Sequence, residues 1–147
     1  MPTAILKADS GASGTYLKLE DKIACTNVIP TKNPTTVLLP TQETMCSTHD
    51  AELPIWELSK SARSAKIFPD LTSASLLSIW QLCDDNCTAI FSKEKLQVIK
   101  NDRVILQGIR NDSDGLWDVP IYKTQQQPLQ TANAIINKNS SKKKLAE

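Results

Sequence analysis

A chain of 147 residues and 16.2 kDa is one domain's worth, long enough to bury a core without disulfide or metal staples. Seventeen basic side chains face sixteen acidic ones, a formal +1, which argues against a nucleic-acid surface built on bulk charge and against an acidic solvating tail. With 40% apolar and 22% charged residues the composition is globular. No apolar run approaches the ~18 residues a membrane span needs, and the first residues lack an apolar stretch of signal-peptide length. The expected compartment is the cytoplasm.

In chain order, Thr3 to Leu6 is a short β-prone run that stops at Asp9-Ser10-Gly11-Ala12-Ser13-Gly14. Thr15 to Leu19 and Cys25 to Pro30 read as further strands, followed by the Asn33-Pro34 turn signal. Thr35 to Leu39 is β-branched and bounded by prolines; with Glu43 to Thr48 and Ala51 to Trp56 it predicts a long hairpin whose tip lies near Pro40 to Glu43. His49 falls in this strand region as a surface residue.

Ser59 to Ser64 reads as a connection and Ala65 to Phe68 as a strand stopped by Pro69. From Ser75 onward Leu76, Leu77, Ile79, Trp80, Leu82 and Cys83 fit a short amphipathic helix ending near Asp84-Asp85-Asn86. Thr88 to Phe91, Leu96 to Lys100 and Arg103 to Gly108 read as strands. Asn101-Asp102 forms a hairpin loop between the last two, since both residues tolerate positive φ. Asn111 to Gly115 is a turn cluster. Leu116 to Tyr122 closes as a strand, placed at an edge because Pro120 cannot donate to a ladder. The spacing predicts an all-β barrel or sandwich over residues 1–122. Residues 123–147, rich in Gln, Asn, Ser and Lys, read as a flexible, disordered tail or linker.

Cys25, Cys46, Cys83 and Cys87 lack the paired ligand spacing of a structural zinc site, and read as reduced, small apolar residues; no metal and no cofactor is expected. Lys138, Lys142, Lys143 and Lys144 have no interleaved aromatics, so nucleic acid is not expected as a partner, nor is a membrane.

The candidate chemistry lies at the hexapeptide. Only four glycines occur in the chain, and two of them, Gly11 and Gly14, fall within it. Asp9 supplies a carboxylate after a strand, and Ser10 a hydroxyl able to bond an opposing loop. Gly11 lets the backbone turn and aim its N–H at the carboxylate, while Ala12 leaves room for close approach. Two such carboxylates ~3 Å apart share one proton, and the pair can activate water against a peptide carbonyl.

Asp9-Ser10-Gly11-Ala12-Ser13-Gly14 resembles the active-site motif of the retropepsins, the aspartic proteases of retroviruses and retrotransposons, most of all the copia-type branch. There a DSGAS loop is followed by an LPxG-like flap and an apolar NLLSVxQL segment. Here Leu39-Pro40 and Ser75-Leu76-Leu77-Ser78-Ile79-Trp80-Gln81-Leu82 stand in those places, followed by Thr88-Ala89-Ile90-Phe91, Ile105-Leu106-Gln107-Gly108 and Gly115-Leu116-Trp117-Asp118-Val119-Pro120. The likeness runs from about Ile5 to Ile121, its last part resembling the start of the pre-integrase region of such polyproteins.

The resemblance implies a closed barrel of short strands with one short helix, and an aspartic endopeptidase acting on an extended polypeptide. Asp9 is the implied catalytic residue, and Ser10, Gly11 and Ala12 the active-site loop. Pro40, Thr41, Gln42 and Glu43 form the implied flap, and Leu76 to Leu82 the segment beneath the loop. Asp112-Ser113-Asp114-Gly115 has the motif's letters in the wrong order and reads as a turn. With a single motif, catalysis requires a homodimer with Asp9 of each copy on the two-fold axis. The pattern departs from the family in a flap without glycine, in the eight residues before Asp9, and at Thr15-Tyr16, where relatives often carry a His-aromatic pair. These departures motivate an alternative: an inactive truncated or domesticated fragment that keeps the fold as a dimerisation or peptide-binding module.

Overall fold

Alternation in the first strand sets the frame. In β1 (Ala4–Asp9) the side chains of Ala4, Leu6 and Ala8 enter the core, so the two-residue period sends Ile5, Lys7 and Asp9 to the other face. The computed structural model describes residues 1–123. After β1 come β2 (Thr15–Lys18), a 3-10 turn (Leu19–Ala24), β3 (Thr26–Pro30), β4 (Thr36–Leu38), β5 (Thr44–Cys46) and β6 (His49–Glu52). They are followed by α1 (Lys60–Arg63), β7 (Ser64–Phe68), β8 (Ser75–Ser78) and α2 (Ile79–Cys83). The described part ends with β9 (Thr88–Phe91), β10 (Lys95–Lys100), β11 (Arg103–Arg110) and β12 (Trp117–Ile121).

The fold is all-β. Ten strands join one sheet in the order β3-β6-β7-β2-β8-β1-β12-β11-β10-β9, and β4 pairs only with β5. The expected closure of the barrel is not found among the described residues, whose hydrogen-bonded sheet stops at β3 and β9. At the β3 end the register shifts between Thr26 and Ile29, Asn27 takes φ +51°, and the strand finishes on Pro30. A bulge and a proline are features that keep an edge from recruiting another strand.

Three further expectations are corrected. The apolar run from Ser75 begins as a strand, and only Ile79–Cys83 is helical. Pairing overrides the helical spacing here: β8 lies parallel to β1, with Leu6 opposite Ser75 and Asp9 opposite Ser78, and meets β2 at Tyr16–Leu76. The 59–64 connection holds a helical turn, α1, capped by Ser59 Oγ accepting from Ala62 N–H, so the described residues form two short α-helices instead of one. Finally, β12 sits inside the sheet, between β1 and β11. Pro120 is accommodated because Thr3 N–H donates to Ile121 C=O, which turns the neighbouring Pro120 nitrogen toward β11, and the β11–β12 pairs stop at Asp118.

The hairpin tip is where the sequence places it. Leu39 N–H donates to Glu43 C=O and Gln42 N–H to Leu39 C=O, closing the chain over Pro40 to Gln42. His49, in contrast, lies in β6, opposite Ile67 of β7. The core is formed by Leu6, Leu17, Leu53, Ile67, Leu77, Leu82, Leu96, Val98, Val119 and Ile121. It spans both halves of the sheet, so β1 and β12 belong to the same packed body as β7 and β8. Of the proposed tail, residues 124–147 lie outside the described residues.

Candidate active site

β1 delivers Asp9 to the end of a strand whose inner face is locked into the core, so the carboxylate emerges on the opposite face beside Lys7. Gly11 N–H donates to Asp9 Oδ1 at 2.8 Å. Gly11 reaches this position without a left-handed φ, and a Cβ there would stand 3.4 Å from Oδ1. Ser10, Gly11 and Ser13 are exposed and Asp9 is half-buried, whereas Ala12 is buried beneath them. Among the described residues Ser10 Oγ has no hydrogen-bond partner, so its hydroxyl is free to bond an incoming group.

The loop straddles a third strand. Its two arms, β1 and β2, flank β8, so residues 10–14 pass over the C-terminal end of β8. Ser78 stands there, completely buried. Its Oγ donates to Ala12 C=O at 2.7 Å and accepts from Gln81 N–H at 3.0 Å, capping α2, while its N–H donates to Thr15 Oγ1 at 3.1 Å. Tyr16 packs edge-on against Phe68, at 4.9 Å between centroids, with its hydroxyl 3.3 Å from Ser13 Oγ. Gly14 makes room for that ring, since a Cβ would fall 2.9 Å from Tyr16 Cε1.

Asp9 and Ser10 open onto a cleft of about 400 Å³ that is also lined by Lys7, Ala8, Leu76, Phe91, Leu116 and Trp117. Trp117 is fixed on three sides. Phe91 stacks edge-on at 5.0 Å, the Arg110 guanidinium lies 4.9 Å from its ring centroid, and Nε1–H donates to Ser92 C=O at 3.1 Å. Lys7 is held by Asp114, at 2.6 Å, and by Asp118. The hydrogen bond to Asp114, then that to Asp118, raises the Lys7 ammonium above its ordinary range, and Lys7 in turn holds the Asp114 carboxyl below the usual aspartate value.

Of the expected site, the structure brings Asp9, Ser10, Gly11 and Ala12 into one loop at the cleft. Pro40, Thr41, Gln42 and Glu43 sit exposed at the hairpin tip and do not line the cleft. The tip lacks glycine, and Gln42 itself takes the left-handed conformation at φ +74°. The Asn111–Gly115 segment is the expected turn, with Gly115 at φ +75° and Ser113 N–H donating to Asn111 Oδ1. Its Asp114 reaches back to Lys7, which was not foreseen.

Ser78 lies in the Leu76 to Leu82 segment expected beneath the loop, but its bond to Ala12 was not expected, nor was the aromatic wall. Ser78-Ile79-Trp80-Gln81 has the S-x-x-Q form of a capping box, a signal for a helix starting after Ser78. Phe91 and Trp117 carry no local signal: Trp117 comes beside β1 through the pairing of β12, and Phe91, from β9 at the far end of the sheet, reaches the cleft by stacking on Trp117.

All four cysteines are free thiols. Burial pushes Cys25 up to about 12 and Cys87 up to about 11, so neither is an activated nucleophile. Among the described residues no group of three His, Cys, Asp or Glu side chains converges to hold a metal ion, and no helix is long and apolar enough to cross a membrane. Comparisons with protein-family models, curated proteins and solved structures find no match to this chain.

Proposed function

We propose that this protein is an aspartic endopeptidase of the retropepsin type, belonging to a retrotransposon polyprotein and active as a homodimer in the cytoplasm. One observation carries the reading: a carboxylate oriented by a backbone N–H, on a loop exposed at residues 10, 11 and 13, facing a cleft with apolar walls. One such carboxylate cannot share a proton with itself; a second copy supplies the other. Across the two-fold axis the free Ser10 hydroxyl of each subunit bonds the opposing loop, and the two Asp9 groups hold one proton between them.

The ionised Asp9 takes a proton from water as the water oxygen bonds to the scissile carbonyl carbon. The protonated Asp9 gives its proton to the carbonyl oxygen, forming a neutral tetrahedral diol. Collapse of the diol breaks the C–N bond; the leaving nitrogen gains a proton from the dyad, and one diol hydroxyl returns a proton to it. The dyad then again carries one proton.

The test is turnover of peptides with extended apolar sites by the native chain and by Asp9→Asn, at mildly acid and neutral pH. The expected outcome is loss of about a thousandfold or more in kcat for Asp9→Asn, with the native profile bell-shaped in pH. Equal turnover by the two forms sinks the reading.

A second reading, a non-catalytic dimerisation or peptide-binding module, draws on the Gln42 tip and on Lys7. An ion-paired lysine stands in the cleft where an apolar substrate side chain would otherwise have more room. Equal peptide binding by native protein and Asp9→Asn, without cleavage by either, would favour it.

A further inference from the structure

We infer that Ser78 is the positioning residue of the Asp9 loop, acting through the Ala12 carbonyl; the inference rests on the peptidase reading for its catalytic consequence. Asp9 itself is tethered from the loop side by a single described hydrogen bond, from Gly11 N–H. That N–H is useful only if the 10–13 turn is held at a fixed height above β8. Ala12 is the one buried residue of that turn, and its carbonyl would be left without a partner in a dry site if Ser78 lost its hydroxyl.

The donor is itself fixed by two further hydrogen bonds. The Ser78 N–H is bonded to Thr15 Oγ1 on the far arm of the loop, and Ser78 Oγ accepts from Gln81 N–H. Gln81 Nε2 in turn shares its two protons among the carbonyls of Ser61 at 3.1 Å, Ala62 at 2.9 Å and Ser64 at 2.7 Å. The α2 N-terminus is thereby fastened to α1 and the start of β7. A hydroxyl with one donor proton and both acceptor and donor directions in use has no freedom to rotate away. The turn of the Asp9 loop, at Ala12, and its β2 arm, at Thr15, therefore both hang on one residue.

In a dimeric site each loop must meet its twin within tenths of an ångström. A displacement of about 1 Å costs on the order of a hundredfold in rate. Ser78→Ala is expected to lower kcat by about ten- to a hundredfold, with KM changed less than about threefold. Gln81→Ala keeps the Ser78–Ala12 bond and removes the fastening to α1. It should lower stability while leaving kcat, per folded molecule, within about threefold of native.

A second variant leaves the buried site intact. Replacing the Ala12–Ser13 peptide bond by an ester in a semisynthetic full-length chain weakens the Ala12 carbonyl as an acceptor, and should reproduce the kcat loss of Ser78→Ala. It serves even if that substitution prevents folding.

Amide exchange provides a reading independent of activity. Gly11 should exchange about tenfold faster in Ser78→Ala and in the ester, with the Leu39 and Gln42 amides unchanged. Should the native chain lack peptidase activity, the functional reading fails and the exchange rates alone judge Ser78. Unchanged loop exchange, or kcat losses equal in Ser78→Ala and Gln81→Ala, would overturn the proposal.

Discussion

Gln42 is a side chain in a conformation that suits glycine. At φ +74° its Cβ crowds the backbone, a cost of roughly 1–2 kcal/mol for a residue in the left-handed region. The chain accepts it because two backbone hydrogen bonds close the tip around it. Gln42→Gly should relieve that strain, less the extra freedom glycine has in the opened state, leaving about 0.5–1 kcal/mol of stabilisation. The expected readout is exchange of the Leu39 amide slowed about two- to fivefold. Gly108 is the opposite case: a Cβ there would meet Asp118 O at 2.9 Å, so close strand approach demands the missing side chain.

Among the elements, α2 is held at both ends. Its N-terminus is capped by Ser78, and just past its C-terminus Asp85 accepts from Ser59 N–H at 2.9 Å and Lys100 Nζ at 2.8 Å, tying α1, α2 and β10 together. Burial alone would raise the Asp85 carboxyl, but the bonds from Lys100 and Ser59 outweigh it and hold it below the ordinary aspartate value.

The sign follows. A depressed folded value means that the stabilisation is fully present above the unfolded value of ~3.9, and is lost as pH falls through the lower folded one. Asp85→Asn should cost about 1.5–3 kcal/mol near neutral pH. In urea unfolding, its deficit relative to native protein should shrink in the acid range below the ordinary aspartate value. A deficit constant with pH would show that the charge is not what matters.

For the molecule as a whole, the proposed activity belongs to a pair. Each subunit has one Asp-Ser-Gly loop, exposed at residues 10, 11 and 13. Specific activity is therefore expected to fall with dilution, tracking the monomer–dimer equilibrium measured by sedimentation, and a statine-type transition-state mimic should shift that equilibrium toward dimer. Constant specific activity in a strict monomer would remove the shared-proton account.

Much of the local structure was readable in the chain. Asn101 and Asp102 both adopt positive φ, 52° and 64°, in the β10–β11 hairpin, as short polar side chains that tolerate the left-handed region should. The Asp9 loop follows a strand, and the second hairpin turns over Pro40 to Gln42. These features depend on neighbours a few residues apart, through sterics and turn chemistry, so residue order suffices to specify them.

Sheet order, the open edges at β3 and β9, and the Lys7–Asp114–Asp118 cluster depend on partners remote in the chain. So does the strand state of Ser75–Ser78, where a period compatible with a helix yields to pairing on both sides. The same holds for the cleft. Its carboxylate was visible in a tetrapeptide, but its walls exist only because β12, with Trp117 and the preceding Leu116, pairs on one side of β1 and β8, with Leu76, on the other, while Phe91 stacks on Trp117. Local preferences distinguish between conformations of a few residues; which distant surfaces share a face is chosen by burying one common core.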